Sequence, residues 1–298
     1  MAAKKSTRPA GKASSGPRVL PVPEQRKHVR KPGEIICYSW NVNGIRAISR
    51  KGFREWFEDR NPDVLCVQET KAELEQVAKE KESQFLVDLE GYDSSWFSAE
   101  KKGYSGVATF TRKSLEASSS KGFKKDGPDH FNNEGRVLVT TFGDFEIWNA
   151  YYPNGGRGPD RVEYKLRFYD HCLDLWQKAR KTKKIILTGD FNTAHKEIDL
   201  ARPEENSTNT GFLPEERAFL DKMIDAGYVD VFRHFEKGPN WFTYWDQVTM
   251  ARNRNVGWRI DYFFVTEETM PLVTDAWIEM DVPGSDHCPI GISLKSQS

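Results

Sequence analysis

Carboxylates, carboxamides and one imidazole recur in this sequence directly at the ends of short apolar runs. Asn41 and Asn43 follow residues 35–40, and Gln68 and Glu69 close the run that starts at Asp63. Asn149 and Tyr151 end residues 145–151, and Asp190 and Asn192 follow residues 185–188. Asp261 lies inside residues 260–265, and Asp286 and His287 precede residues 290–294. Any one of these is an ordinary turn or cap residue. Repeated delivery of one chemical flavour to strand ends is how a site is built on a rigid scaffold. The oxygen donors suit Mg²⁺ or Mn²⁺ rather than zinc, and a metal with few protein ligands fits phosphodiester hydrolysis. A carboxylate such as Asp261 would hold the His287 ring and favour its cation. That cation could bind a non-bridging phosphate oxygen. Asp190 is the candidate to orient or deprotonate the attacking water, with Asn192 positioning it and Tyr151 donating to the phosphate or the leaving oxygen. Neither a Gly-rich nucleotide loop nor a Gly-x-Ser-x-Gly elbow is present.

The elements that must position these groups alternate between strand-like and helix-like. Residues 35–40, 63–68, 184–188, 260–265 and 290–294 are apolar runs of strand length. Residues 136–142 and 145–151 flank Gly143-Asp144, a hairpin signal. Phe53, Trp56 and Phe57 predict a short helix that breaks near Asn61-Pro62. Val162, Leu166, Tyr169, Cys172 or Leu173, and Trp176 predict one face of a long helix. Residues 214–226 predict another, with Gly227 as its stop. Interspersed helices, strands and hairpins imply an α/β sandwich with mixed sheets. No tandem repeat of fixed short period occurs.

The 298 residues are 38% apolar and 12% aromatic, enough for a real core. No window approaches a membrane span, and the N-terminus lacks the apolar run of a secretory signal, so an intracellular protein is expected. Cys37, Cys66, Cys172 and Cys288 have no metal-ligand spacing and read as small buried hydrophobes. The net charge of zero hides an asymmetry: residues 1–31 carry +8 and the remainder −8. Residues 1–32 read as a disordered basic tail and residues 33–298 as the catalytic domain. The tail implies a nucleic-acid or repair-protein contact, or targeting. Within it, residues 26–31 resemble a nuclear import signal, placing the protein in the nucleus of a nucleated host and otherwise in the cytoplasm or nucleoid.

The residues around these positions carry a resemblance. Trp40-Asn41-Val42-Asn43-Gly44-Ile45-Arg46-Ala47 and Leu65-Cys66-Val67-Gln68-Glu69-Thr70-Lys71 resemble the first two motifs of the exonuclease III family of apurinic/apyrimidinic (AP) endonucleases. Gly103-Tyr104-Ser105-Gly106-Val107, Glu134-Gly135-Arg136-Val137, Tyr151-Tyr152-Pro153-Asn154 and Gly189-Asp190-Phe191-Asn192-Thr193-Ala194-His195 follow in the family's order. Glu197-Ile198-Asp199-Leu200, Asn255-Val256-Gly257-Trp258-Arg259-Ile260-Asp261-Tyr262 and Gly284-Ser285-Asp286-His287-Cys288-Pro289 complete the set, over about residues 34–295.

That resemblance implies a four-layered α/β sandwich of two packed mixed β-sheets flanked by helices. It implies a monomeric, Mg²⁺-dependent DNA-repair enzyme, with Mn²⁺ able to substitute, that incises double-stranded DNA 5′ to abasic sites. A 3′-hydroxyl and a 5′-deoxyribose phosphate would result, and 3′-phosphodiesterase and 3′→5′ exonuclease activities accompany this in many members. By motif position, Glu69 is the metal ligand, assisted by Asn43 and Asp286. Asp190 activates water, with Asn192, Asn41 and Tyr151 in support, and Asp261 and His287 engage the phosphate. Some relatives carry Asp where this chain has Asn43, which leaves the metal site here less negative. Arg46, Lys71, Tyr104, Arg136, Arg157, Asn206 and Asn209 are the expected DNA contacts. Tyr244, Trp258 and Ile260 resemble the pocket that takes a flipped-out abasic sugar. Other phosphoesterases of the same fold, and a catalytically silent nucleic-acid-binding relative, are the alternatives.

Overall fold

The expected apolar runs and five further segments form the strands, which begin β1 (Glu34–Asn41), β2 (Val64–Gln68), β3 (Tyr92–Phe97), β4 (Val107–Arg112), β5 (Ser118–Lys121) and β6 (Val137–Phe142). They continue as β7 (Phe145–Tyr151), β8 (Lys184–Asp190), β9 (Tyr228–Asp230), β10 (Asp261–Thr266), β11 (Val273–Ile278) and β12 (Ile290–Lys295). The computed structural model describes residues 19–123 and 127–296. The strands make two six-stranded sheets, in the orders β11-β12-β1-β2-β4-β3 and β5-β6-β7-β8-β10-β9. Inward residues such as Cys37, Cys66, Ile147, Ile186, Phe263 and Ile292 fill the space between them. Helix Phe53–Arg60 packs Phe53, Trp56 and Phe57 on the outer face of the first sheet. Helices Pro159–Ala179 and Pro214–Asp225 cover the second. The result is the expected helix–sheet–sheet–helix sandwich.

The two sheets share one connectivity. Each has a central parallel pair, β1 with β2 and β7 with β8, among otherwise antiparallel neighbours. Both parallel pairs end at the same edge, with Asn41 opposite Gln68 and Tyr151 opposite Asp190. Antiparallel β10 begins there, with Asp261 opposite Asp190. The carboxyl ends of parallel strands are where connecting loops gather, and where open α/β sheets place ligands.

The long helix departs from its predicted stripe. It starts at Pro159, after Gly158 at φ 108, as a proline in the first turn permits. Its buried face is Lys165, Phe168, Tyr169, Cys172, Leu173 and Trp176. Val162 and Leu166 are only half-buried. Apolar periodicity could not anticipate that a lysine occupies a core position. No helix among the described residues is long and apolar enough to cross a membrane.

The boundary expected at residue 32 is also corrected. Residues 1–18 lie outside the described residues, but the stretch from Val19 to Pro32 runs against the body. Leu20 N donates to the Arg254 carbonyl at 2.9 Å, and Asn255 Nδ2 donates to that of Pro21 at 3.1 Å. His28 stacks on Trp277 with centroids 4.4 Å apart, and its ring nitrogens lie 3.0 Å from Asp275 and from Glu34. Arg26 pairs with Asp275, Lys27 with Asp59 and Arg30 with Asp63, so with His28 four side chains of the 26–31 basic stretch are engaged on the fold. Polar contacts hold this segment, and a composition poor in bulky apolar residues gives no sign of them.

Candidate active site

The loops after β1, β2 and β8 bend through a conformation that L-residues seldom adopt. Asn43, Glu69, Lys71 and Asn192 have φ between 49 and 53, and all four line one cavity of about 460 Å³. Left-handed non-glycine residues cost about 1 kcal/mol each, and such strain gathers where function over-determines the backbone. A larger groove of about 600 Å³ lies beside Ser118–Gly122. It gathers hydroxyls, aliphatic carbons and the rings of Phe123 and Trp148 around one glutamate and one lysine. Chemistry therefore locates the site in the smaller cavity.

Asn41, wholly buried at the end of β1, ties the cluster together. Its Nδ2 donates to Glu69 Oε1 at 2.9 Å and to Asp190 Oδ2 at 2.8 Å, and its Oδ1 accepts the Asn43 N–H. Asp190, 1% exposed, also accepts the Asn192 N–H at 2.8 Å. Burial raises its pKa. The Asp261 and Glu69 charges add to that, while His287 and the Asn192 N–H oppose it, and the net is up to about 7. His287 Nδ1 lies 2.8 Å from Asp261 Oδ2, and Nε2 lies 3.8 Å from Asp190 Oδ2. Burial works against the imidazolium, but the charges of Asp261 and Asp190 override it and push the ring up to about 10. Burial and Glu69 hold the Tyr151 phenol protonated, well above its ordinary range.

The donor set fits a hard cation. Asn43 Nδ2 donates to both Asp286 oxygens at 3.0 Å, which leaves its Oδ1 facing the Lys71 ammonium. That ammonium also sits 2.7 Å from Glu69 Oε2, so the chain's own cation already occupies oxygens proposed for the metal. Ligand atoms of Glu69, Asp190 and His287 lie within 4.8 Å of one another. A protonated imidazole has no lone pair to give, so of these three the carboxylates of Glu69 and Asp190 are the groups that could hold a metal, with Asn43 and Asp286 beside Glu69 on the same cavity.

The cavity's far wall is Tyr244, Trp258 and Ile260, backed by Ala194, Leu200 and Phe212. Tyr244 bridges in antiparallel fashion to both Trp258 and His287, so the apolar wall and the imidazole share one backbone frame.

The expected DNA contacts divide. Lys71 lines the cavity. Arg157 is exposed, with its guanidinium 5.9 Å from the Tyr104 ring. Asn206 and Asn209 are linked by a 2.9 Å hydrogen bond just before the Thr210–Gly211 wall. Arg46 is outside the cavity, half-exposed, 3.9 Å from Glu80. Arg136 is corrected: it is 1% exposed, and its guanidinium is spent on Glu134, the Tyr151 carbonyl and the Tyr104 hydroxyl. It is a strut behind Tyr151 and Tyr104 rather than a free phosphate contact. Asn154 was not singled out by sequence reasoning, yet its Nδ2 donates to Asn192 Oδ1 at 2.9 Å. Its signal was available, because it closes the motif that follows β7.

The sequence pattern that defines the Endonuclease/Exonuclease/phosphatase family matches residues 38–287. A DNA-(apurinic or apyrimidinic site) endonuclease of Dictyostelium discoideum is 39% identical over 87% of this chain and 70% of its own length. An exodeoxyribonuclease of Bacillus subtilis (strain 168) is 38% identical over 86% of this chain and 98% of its own. The crystal structure of an AP endonuclease from Leishmania major superposes with a TM-score of 0.81 at 28% identity, covering 93% of each chain. Strand-end chemistry, sheet connectivity and these likenesses agree, and the chain belongs to the endonuclease/exonuclease/phosphatase family.

Proposed function

We propose that the protein hydrolyses double-stranded DNA on the 5′ side of abasic sites, in base excision repair, with Mg²⁺ held by Glu69, Asn43 and Asp286. The observation that carries this is the juxtaposition of two unlike halves in one cavity. A carboxylate beside an imidazolium shares the cavity with a largely apolar wall of Tyr244, Trp258 and Ile260, the kind of surface a sugar stripped of its base could pack on. The name of the Dictyostelium relative, an endonuclease of apurinic or apyrimidinic sites, supports that substrate, and the name of the Bacillus relative supports an accompanying exodeoxyribonuclease activity.

Asp190 accepts a proton from water as the water oxygen attacks phosphorus. The P–O3′ bond breaks, leaving a 3′-hydroxyl on one fragment and a 5′-deoxyribose phosphate on the other. Asn41 and Asn192 fix the Asp190 carboxylate from two sides, so water is met in one orientation. The His287 cation, held by Asp261, faces a non-bridging phosphate oxygen and stabilises the charge that develops there. Tyr151, kept protonated, donates to the phosphate or the leaving oxygen. Bound Mg²⁺ would supply positive charge at the phosphate. Trp258, Ile260 and Tyr244 enclose the sugar and exclude an intact nucleotide.

The test is a panel of end-labelled substrates: a duplex with one abasic site, the same duplex undamaged, single-stranded RNA, and a phosphoinositide. Incision confined to the abasic duplex, next to the lesion, is expected. Preferred turnover of RNA or phosphoinositide would move the protein to another branch of the fold.

A further inference from the structure

A lysine and a glutamate, Lys165 and Glu216, lie fully buried beneath the site, with Lys165 Nζ 2.7 Å from Glu216 Oε1. Burying an ion pair is seldom a net gain over well-packed apolar groups, so its retention points to what else the pair holds. Lys165 Nζ also donates to the Asn192 carbonyl at 2.8 Å. Glu216 accepts from Thr210 Oγ1 at 2.7 Å, from Gly211 N at 2.5 Å and from Leu213 N at 3.1 Å. Apart from the bond between them, every hydrogen bond the two side chains make therefore ends on one of two loops, and both loops line the cavity.

The loops are otherwise lightly joined. Gly211 O accepts the Ala194 N–H at 2.8 Å. At φ +94, Gly211 packs so closely that an added Cβ would meet the Asn192 carbonyl at 3.3 Å and the Trp258 ring at 3.4 Å. Asn192 itself, at φ 53, gives its side chain to Tyr152 O and Asn154. Its carbonyl is left for Lys165 to hold. The chain Asp190–Asn192–Lys165–Glu216–Gly211–Trp258 thus runs from the water-activating carboxylate to the wall of the sugar pocket.

We propose that Lys165 and Glu216 are positioning residues for the reaction, a buried brace that fixes Asn192 against Asp190 and locks the Thr210–Gly211 wall to the same frame. The catalytic part of this rests on the hydrolysis assigned above. Neither residue touches substrate. They act by setting the separation of pocket and carboxylate, where a displacement of about 1 Å can cost about a hundredfold in rate.

The experiment compares wild type with Lys165→Met, Glu216→Gln, the double variant and Lys165→Arg. Each single removal leaves a buried unpaired charge or donor and lowers both Tm and kcat. The double variant removes both charges and should regain most of the lost Tm. Its kcat on an abasic duplex should stay at least about tenfold below wild type with KM changed by less than about threefold. Lys165→Arg, which can still reach both acceptors, should keep kcat within about threefold. A double variant whose kcat recovers along with Tm overturns the proposal, because the pair would then serve folding alone. A second readout does not depend on substrate. Amide hydrogen exchange at residues 192–194 and 210–213 should quicken by about tenfold or more in the double variant while the sheets stay protected. Unchanged exchange at those loops overturns the brace even if abasic DNA proves not to be the substrate. Loosened loops in a protein that cuts no abasic DNA would uphold the brace and overturn only the activity.

Discussion

His287 Nδ1 lies 2.8 Å from Asp261 Oδ2, and both residues are nearly closed to solvent, at 4% and 3% exposure. Sheet register creates the pairing. Asp261 stands opposite Asp190 where β10 meets β8, and Tyr244 bridges to His287 from the other side. The imidazole is left between two carboxylates that outweigh the cost of burying its charge. A cation at neutral pH is thus built into the site, where an isolated histidine would be mostly neutral.

That cation is present below its pKa and lost as the pH rises through it. kcat/KM should therefore rise as Asp190 loses its proton near pH 7, hold above it, and fall on an alkaline limb near pH 10, the value the two carboxylates set. Asp261→Asn removes the nearer charge. The limb should move toward neutrality by about one pH unit or more, and the rate at neutral pH should drop about a hundredfold. A pH–rate profile with an unmoved limb would refute the pairing's role.

Metal binding should depend on Glu69 before any other carboxylate of the cluster. Titration calorimetry with Mg²⁺ or Mn²⁺ should show Glu69→Gln weakening affinity by at least about tenfold, with EDTA abolishing activity in wild type. Equal affinity in wild type and variant would place the ion elsewhere.

Arg259 lies between the pocket residues Trp258 and Ile260 and is itself buried. It bonds Asp199 at 2.8 Å and Asp230 at 2.6 Å, and its N–H reaches the Asp199 carbonyl at 2.7 Å. Burial would raise the Asp199 carboxyl, but Arg259 and Arg233 hold it down at about 2. A lowered carboxyl contributes stability that is complete above its unfolded value and lost as pH falls through the folded one. About 2–3 kcal/mol should vanish between about pH 5 and 2 from this group. Asp199→Asn should cost about 3–5 kcal/mol at neutral pH and flatten that acid dependence, read from urea unfolding across the window. An undiminished acid slope in the variant would show that other groups set it.

Trp258→Ala should widen the pocket rather than damage the chemistry. In competition between abasic and undamaged duplexes, the preference for the abasic site should fall about tenfold or more, with the thermal transition lowered only modestly because Trp258 is half-buried. Unchanged preference would remove the wall from substrate selection.

The polar cluster proposed for catalysis was legible because its residues end strands, and strand ends are marked by a change from apolar runs to carboxylates and amides. Asn41, Glu69, Tyr151, Asp190, Asp261 and His287 all stand at such changes and meet at one edge. Strands without that contrast were not visible. β5 is Ser-Ser-Ser-Lys at a sheet edge, and β3 buries only Tyr92 and Trp96. Their pairing comes from neighbours, not from their own side chains. The same limit hid the docked segment around His28, and it hid Arg136 and Lys165. Long cations read as surface from sequence, because only the fold reveals the carboxylates and carbonyls that admit them to the core.

The most direct test of the proposed chemistry is incision of a labelled duplex carrying one abasic site, with Mg²⁺ or with EDTA, by wild type and by Asp190→Asn. Cleavage immediately 5′ to the lesion is expected, dependent on Mg²⁺ and reduced by about a thousandfold or more in the variant. Wild-type cleavage that survives in Asp190→Asn would contradict the assignment of water activation to this carboxylate, and no cleavage by wild type would contradict the proposed substrate.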